Sequence, residues 1–309
     1  MSIYAMSDIH GCLGDLERRL AHLRALGFFD DACEDQLVLI GDFIDRGPDG
    51  LGVVHRVMAL EDECPGRVTS LMGNHEAEML EWVGMAPAEK SDAALEDGLS
   101  DDERALLGEV LAEGTDDEVL ARLRMWQGAD KGGLSMRSFA GEGALADIEA
   151  AVAAHDDALA AAAFERACEK IRSDCAVELR WMRRLAPYLK TARHVFVHSG
   201  IDESQGAEWE LATPRERMLA GRETTCGAFV LDVVCGHTPA AMVAEKVTGD
   251  GSVEGVWWDG ASHFYVDGAT AYTHRLPTLV CDEAKGRHLE LDECGRPREI
   301  ASATIPAIV

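Results

Sequence analysis

The sequence predicts an α/β fold on three observations. Residues 1–82 repeat one plan three times: a short apolar run, a polar cluster, then helical spacing. Strand, turn and helix in alternation mark a layered α/β domain. Residues 85–180 are acidic, alanine-rich and nearly free of strand pattern, and read as a helical insertion within one domain spanning 1–309. The C-terminal part returns to short apolar runs joined by turn residues, as antiparallel pairs do.

The first strand, Ile3 to Met6, runs straight into Ser7-Asp8-Ile9-His10-Gly11. Asp8 and His10 are two apart, which in extended chain puts both side chains on one face. A carboxylate with an imidazole suits a transition metal such as Mn, Fe or Zn. Leu13 to Leu26 follows as a helix, with Leu16, Leu20 and Leu23 on one stripe and Gly27 as its stop.

The second repeat is Leu37-Val38-Leu39-Ile40, then Gly41-Asp42-Phe43-Ile44-Asp45-Arg46-Gly47. A carboxylate just past the carboxyl end of a buried strand stands where α/β sheets bind ligands. Asp42 therefore reads as a metal ligand, and Asp45 and Arg46 as its working neighbours. The plain alternative is a polar turn, because Asp-Arg-Gly-Pro-Asp-Gly is strong turn chemistry. Val53, Val54, Val57 and Met58 give the next helix its apolar face, and His55 reads as part of its packing. The third repeat is Val68 to Met72, then Gly73-Asn74-His75-Glu76, opening a helix from Ala77 to Trp82. An amide oxygen such as that of Asn74 can fill a metal site. A histidine beside it can act as an acid near neutral pH.

In the acidic stretch, Ser100-Asp101-Asp102-Glu103 and Thr115-Asp116-Asp117-Glu118 are capping boxes. Each precedes helical spacing: Leu106, Leu107, Val110 and Leu111, then Val119, Leu120 and Leu123. A longer helical run is expected from Leu145 to Arg172. Its alanines favour helix but bury little area. Long insertions beside active sites are often lids; the other reading is decoration without a catalytic part.

Strand pattern resumes at His194 to Val197, followed by His198-Ser199-Gly200, and at Phe229 to Cys235, followed by Gly236-His237-Thr238-Pro239. His198 and His237 again stand just past apolar strands, while His194 is at the other end of its strand, away from the site. Val256-Trp257-Trp258 and His263 to Val266 flank Asp259-Gly260-Ala261-Ser262, a hairpin signal. The paired tryptophans read as sheet packing. Leu276 to Val280 and Arg287 to Leu291 read as further strands, and Ala301 to Val309 as an edge strand or a disordered tail.

The totals narrow the function. Acids outnumber Lys plus Arg by 56 to 29, a formal net charge of -27. That surface repels nucleic acid and anionic membranes. Nine scattered cysteines include no Cys-x-x-Cys pair. They suit reduced thiols, and with no basic leader at the N-terminus they point to the cytoplasm. No stretch reaches the roughly 18 apolar residues of a membrane span.

Collected, the strand-end groups are Asp8, His10, Asp42, Asn74, His198 and His237. Six oxygen and nitrogen donors are too many for one open catalytic ion but suit two, and Asp42, on the central loop, is the natural bridge. Two ions clamp a phosphate and activate a water by lowering its pKa. Arg46 can grip phosphate oxygens with its planar fork. His75 can protonate the leaving oxygen, with Asp45 orienting its ring. The chemistry is phosphoester hydrolysis by direct in-line attack of water.

Ser-Asp-Ile-His-Gly (7–11), Gly-Asp-Phe-Ile-Asp-Arg-Gly (41–47), Gly-Asn-His-Glu (73–76), Val-His-Ser-Gly (197–200) and Gly-His-Thr-Pro (236–239) resemble, in order, the motifs of the calcineurin-like metallophosphoesterases. They look most like the bacterial serine/threonine phosphoprotein phosphatases of that superfamily. The resemblance implies an αβ-βα sandwich of two mixed β-sheets flanked by helices. It implies two divalent ions, foremost Mn with Fe or Zn as alternatives. One is held by Asp8, His10 and Asp42, the other by Asp42, Asn74, His198 and His237. It implies direct attack by hydroxide at the dimetal centre on a phosphorylated protein or small phosphoester, with Asn74 also touching the phosphate. A second phosphate-gripping arginine is expected in a Trp-x-Arg context. Thr213-Pro214-Arg215-Glu216-Arg217 stands there without the tryptophan, with Arg215 the better match and Arg217 the alternative. Gly132-Gly133 before Ser138-Phe139 looks like a family feature near the site, and Asp267-Gly268 resembles a late family motif to which no role is assigned. The nearest rival activity is hydrolysis of a dinucleoside polyphosphate such as diadenosine tetraphosphate. A third reading is a catalytically dead binding module, which would need a broken ligand set.

Overall fold

A computed structural model describes residues 1–85, 116–130 and 133–303. The capping box at 100–103, the helical spacing at 106–111, Thr115, Gly132 and residues 304–309 lie outside the described residues. Contacts divide the chain into two compact units. One is Met1–Phe43, Gly52–Asn74 and Ala186–Val309, and the other is Ile44–Leu51 and His75–Leu185.

The first unit holds two mixed sheets flanked by helices. Strands β1 (Ser2–Met6), β2 (Gln36–Leu39) and β3 (Val68–Ser70) run parallel. Helices α1 (Leu13–Ala25) and α2 (Gly50–Glu63) connect them in sequence. Beside β1 lie β9 (Leu279–Asp282), β10 (Arg287–Leu291) and β11 (Pro297–Glu299), all antiparallel, giving the order β11-β10-β9-β1-β2-β3. The other sheet has β4 (Tyr188–Lys190), β5 (His194–Val197), β6 (Asp232–Cys235), β7 (Trp257–Trp258) and β8 (His263–Tyr265) in the order β4-β5-β6-β8-β7. Within it β5, β6 and β8 are parallel.

Leu37, Val38 and Leu39 are almost wholly buried, as befits a central parallel strand covered on both faces. Side chains alternate in strands, so one residue set faces the sister sheet and the other faces helices. Ile3, Ala5, Val38, Phe196, Val234, Phe264 and Leu279 share the core between the sheets. Val195, Val197, Val233 and Cys235 pack outward against Trp209, Met218 and Val243, the last on the helix Ala240–Thr248. The leucine stripe of α1 is fully buried, as its spacing predicts.

Four strands differ from expectation. Phe229 to Cys235 forms strand only from Asp232, whose ladder partner His194 is the first residue of β5. Upstream no partner strand lies among the described residues, and Val230 is 73% exposed. The run at Leu276 enters the sheet only at Leu279, opposite Ala5, because Pro277 offers no amide to a ladder. Strands β4 and β11 escape the pattern altogether, since β11 is exposed throughout and carries no apolar signal.

The second unit is helical among the described residues. It takes α3 (Asn74–Trp82) from His75 onward. Then come α4 (Asp116–Ala129), α5 (Leu134–Ala140), α6 (Glu142–Ala153), α7 (Asp157–Asp174) and α8 (Ala176–Arg183). Phe164 packs between Trp82 and Trp126, with ring centroids 6.3 and 5.8 Å away. The run expected as one helix from Leu145 to Arg172 is two, α6 and α7. His155 sits at φ 55, and Asp156 caps α7 by accepting a hydrogen bond from the Leu159 amide at 3.0 Å. A capping carboxylate offers the backbone a stop that alanine propensity alone does not reveal.

Candidate functional site

In the first unit the carboxyl ends of five parallel strands carry the polar clusters, and their side chains meet. Asp42 Oδ1 lies 3.3 Å from His198 Nε2, and its other oxygen lies 3.5 Å from His10 Nε2. His10 Nε2 is 3.6 Å from Asp8 Oδ1. Asn74 Oδ1 lies 2.9 Å from His237 Nδ1 and 3.2 Å from His198 Nε2. Asp42, His198 and His237 each offer an atom within 4.8 Å of the others. All six residues expected at the strand ends are brought together.

The donor set fits a pair of divalent ions. Asp8, His10, Asp42 and His198 are at most 1% exposed, and buried carboxylates need a cation or a proton nearby. Asp8 Oδ1 is buried and accepts no hydrogen bond among the described residues. Burial opposes charge on His198, yet the adjoining Asp42 and Asp8 carboxylates push it up to about 10. Burial likewise opposes charge on Asp8, and its histidine neighbours still hold it below the usual carboxylate range. The cluster thus demands positive charge at its centre, which bound metal supplies when present.

Backbone geometry is strained where these residues sit. Asp8, His10, Asp42 and His237 have φ between 47 and 62, and Asp45 and Arg46 have φ of 64 and 63. Such conformations cost about 1–3 kcal/mol each outside glycine and cluster at functional sites. Glycines make the convergence possible. A Cβ on Gly41 would meet the Gly73 amide at 2.4 Å, and one on Gly236 would meet Ser7 Oγ at 1.9 Å and Asp8 Oδ2 at 2.3 Å.

The supporting partners were not legible in the sequence. Ser7 Oγ donates to Asp8 Oδ2 at 2.6 Å, and the His237 amide donates to the same oxygen at 2.8 Å. His198 Nδ1 donates to the Ile40 carbonyl at 2.7 Å. That bond leaves Nε2 as the atom turned toward Asp42 and Asn74. Ser7 stands beside Asp8 in sequence, but its rotamer is a tertiary matter.

Within the second unit, Asp45 Oδ2 is 2.5 Å from His75 Nδ1, and Arg46 Nη2 is 3.0 Å from His75 Nε2. Guanidinium only donates, so Nε2 accepts and the ring proton is on Nδ1, facing Asp45. The Asp45 amide donates to Ser135 Oγ at 2.9 Å, and the Ile44 amide to Glu76 Oε1 at 3.4 Å. Asp130, only 2% exposed, accepts from the amides of Ser135 and Met136 and from Trp126 Nε1. Burial, and then the charge of Asp45, raise its carboxyl. Ser135 and Asp130 thus brace the Asp45 loop, at a sequence distance no local pattern reveals.

The arginine alternatives separate. Arg217 pairs with Glu223 at 2.5 Å and with Asp202 at 3.7 Å on the surface. Arg215 has Nε and Nη2 buried without a hydrogen-bond partner among the described residues, and burial lowers its pKa. Both lie on the short helix Arg215–Ala220, which is tied to the His198 loop by the Ser199 amide on the Met218 carbonyl at 2.8 Å. Asp267 supports the helix after His237, its carbonyl accepting the Ala240 amide at 2.9 Å.

Comparison with known proteins agrees. The model of the calcineurin-like phosphoesterase family matches residues 1–135. A relative from Bordetella parapertussis, named a symmetrical bis(5'-nucleosyl)-tetraphosphatase, is 34% identical over 92 residues, 29% of this chain and 30% of that one. One of the same name from Thioalkalivibrio sulfidiphilus is 41% identical over 80 residues, 26% of each chain. The match therefore spans less than a third of the length of these two relatives. A solved cold-active protein tyrosine phosphatase superposes with TM-score 0.50 at 14% identity, over 97% of this chain and 79% of that one, and shares the fold. The two mixed sheets flanked by helices are the fold the chain shares with that structure, and its first 135 residues are similar to the calcineurin-like phosphoesterases.

Proposed function

We propose that the protein is a metal-dependent phosphomonoesterase, acting foremost on phosphoserine and phosphothreonine in proteins. The observation that carries the reading is Asp42, which turns one oxygen toward His198 and the other toward His10. We assign Asp8, His10 and Asp42 to one divalent ion and Asp42, Asn74, His198 and His237 to the other, with manganese as the preferred metal. Such a pair, when bound, neutralises phosphate charge and lowers the pKa of water.

The chain's own groups do the rest. Arg46, and Arg215, whose Nε and Nη2 have no hydrogen-bond partner among the described residues, grip phosphate oxygens, and Asn74 orients them. A phosphate draws Arg46 away from His75 Nε2, which is then open to carry a proton. Asp45 on Nδ1 stabilises the doubly protonated ring, and His75 gives the Nε2 proton to the leaving alkoxide. Glu76 steadies the Asp45 loop through the Ile44 amide.

A second reading, hydrolysis of dinucleoside polyphosphates, is favoured by the names of the curated relatives. The manganese-loaded protein should be assayed on a phosphothreonine peptide, diadenosine tetraphosphate and an aryl phosphate. Higher kcat/KM on the peptide supports the first reading, and higher kcat/KM on the dinucleotide replaces it with the second. Full metal content without turnover of any of the three leaves a binding module and defeats both.

A further inference from the structure

The first unit holds another donor cluster, at the opposite ends of the strands. His194 opens β5, and His198 follows the strand's last residue, about 13 Å further along extended chain. His194 is the ladder partner of Asp232 on β6, and Cys281 on β9 is the ladder partner of His288 on β10. Directly opposed residues project from the same face. Cys281 lies in the core between the two sheets, as do Phe196 and Val234, each two residues along from His194 and Asp232. The two pairs, one from each sheet, therefore face each other across the sandwich.

Their polar atoms converge. His194 Nε2 and His288 Nε2 are 2.9 Å apart. Asp232 Oδ2 is 3.7 Å from the former and 3.5 Å from the latter. Cys281 offers its sulfur within 4.8 Å of both rings. Glu283 Oε1 lies 3.0 Å from His194 Nδ1. His194 and Cys281 are 2% and 1% exposed.

We propose that His194, His288, Cys281 and Asp232 form a structural zinc site that bolts the two sheets together, separate from the strand-end cluster. Two imidazoles, one thiolate and one carboxylate make a closed set of four side chains, each of a type that binds zinc. The charges close as well: thiolate and carboxylate balance the ion. Glu283 then stands on the outer nitrogen of His194 as a carboxylate does behind a zinc-bound histidine, and offsets Arg193, which lines the same cleft. Ligand nitrogens on a tetrahedral zinc lie about 3.3 Å apart, so the two rings part by a few tenths of an ångström. The strand-end cluster contains no sulfur, which makes the two sites separable by spectroscopy.

The test is cobalt. The full-length protein is stripped with chelator, reloaded with Co(II), and its thiolate-to-cobalt charge-transfer absorption recorded. About one equivalent of thiolate-bound cobalt is expected in the native protein and in Asp42→Asn. It should be lost in Cys281→Ser and in His288→Gln, the latter a partly exposed position where folding is under less strain. Absence of the band from the native protein, its survival in His288→Gln, or its loss in Asp42→Asn overturns the assignment.

Discussion

Oδ1 of Asp42 stands 3.3 Å from Nε2 of His198, while Oδ2 of the same carboxylate faces His10 at 3.5 Å. One side chain thus addresses two groups of donors. Asp42→Asn keeps the shape but removes the charge and one acceptor. Bound manganese should fall from about two to one or fewer per chain. Activity on an aryl phosphate should drop by more than about 10²-fold, the loss typical of removing even an outer partner of a metal site. Metal analysis with steady-state kinetics checks both; full metal content in the variant excludes the bridging role.

His75 follows Asn74 in the chain but is braced by Asp45 at 2.5 Å. His75→Asn should lower kcat by about 10²–10⁴-fold, the range for a lost general acid, with metal content unchanged. Loss of metal in this variant would make His75 a ligand instead. The defect should also shrink on substrates whose leaving group needs no proton.

Arg215 and Arg217 are two residues apart and differ in their surroundings. Hydrogen bonds to charged groups contribute about 1.5–3 kcal/mol, so Arg215→Ala should reduce kcat/KM by roughly 10- to 100-fold. Arg217→Ala breaks surface pairs with Glu223 and Asp202, each worth about 0–1 kcal/mol, and should leave kinetics nearly unchanged. The reverse order would transfer the phosphate role to Arg217.

Gly236 lies against Ser7 and Asp8, where a Cβ would meet Ser7 Oγ at 1.9 Å. Gly236→Ala must push the first loop away from the histidine loop. A stability loss of about 1–3 kcal/mol is expected, as for other overpacked sites, together with weaker metal binding. Denaturant unfolding and metal titration report the two effects, and a variant with native stability and affinity would show that the loops yield.

His263, away from the metal cluster, is held between Asp259 at 2.9 Å and Glu203 at 2.8 Å. Burial opposes its charge, but the two carboxylates raise it from 6.5 to about 9. The folded value lies above the unfolded one, so this stabilisation is complete below about pH 6.5 and fades as pH rises through about 9. The stability gap between the native protein and His263→Gln should be widest near pH 6 and narrow steadily toward pH 10. Urea unfolding at several pH values checks it; a gap independent of pH would mean that the ring stays neutral.

The chain's own order of residues determined the three strand–turn–helix repeats, because a buried parallel strand must be apolar throughout and must end where polar groups begin. It also marked Asp8, His10, Asp42, Asn74, His198 and His237 as candidate donors, since residue type and position past a strand are both local features. Tertiary structure alone decided that Asp42 faces both ways, that Ser135 and Asp130 brace the Asp45 loop, and that Arg215, unlike Arg217, has buried guanidinium nitrogens with no hydrogen-bond partner among the described residues. It also placed His194 and Asp232 opposite Cys281 and His288, from two different sheets. The reason is physical. Periodicity encodes which face a residue takes, but convergence depends on sheet order, register and the positive φ values that turn each loop inward. Those follow from packing across the whole chain, and no local window contains them.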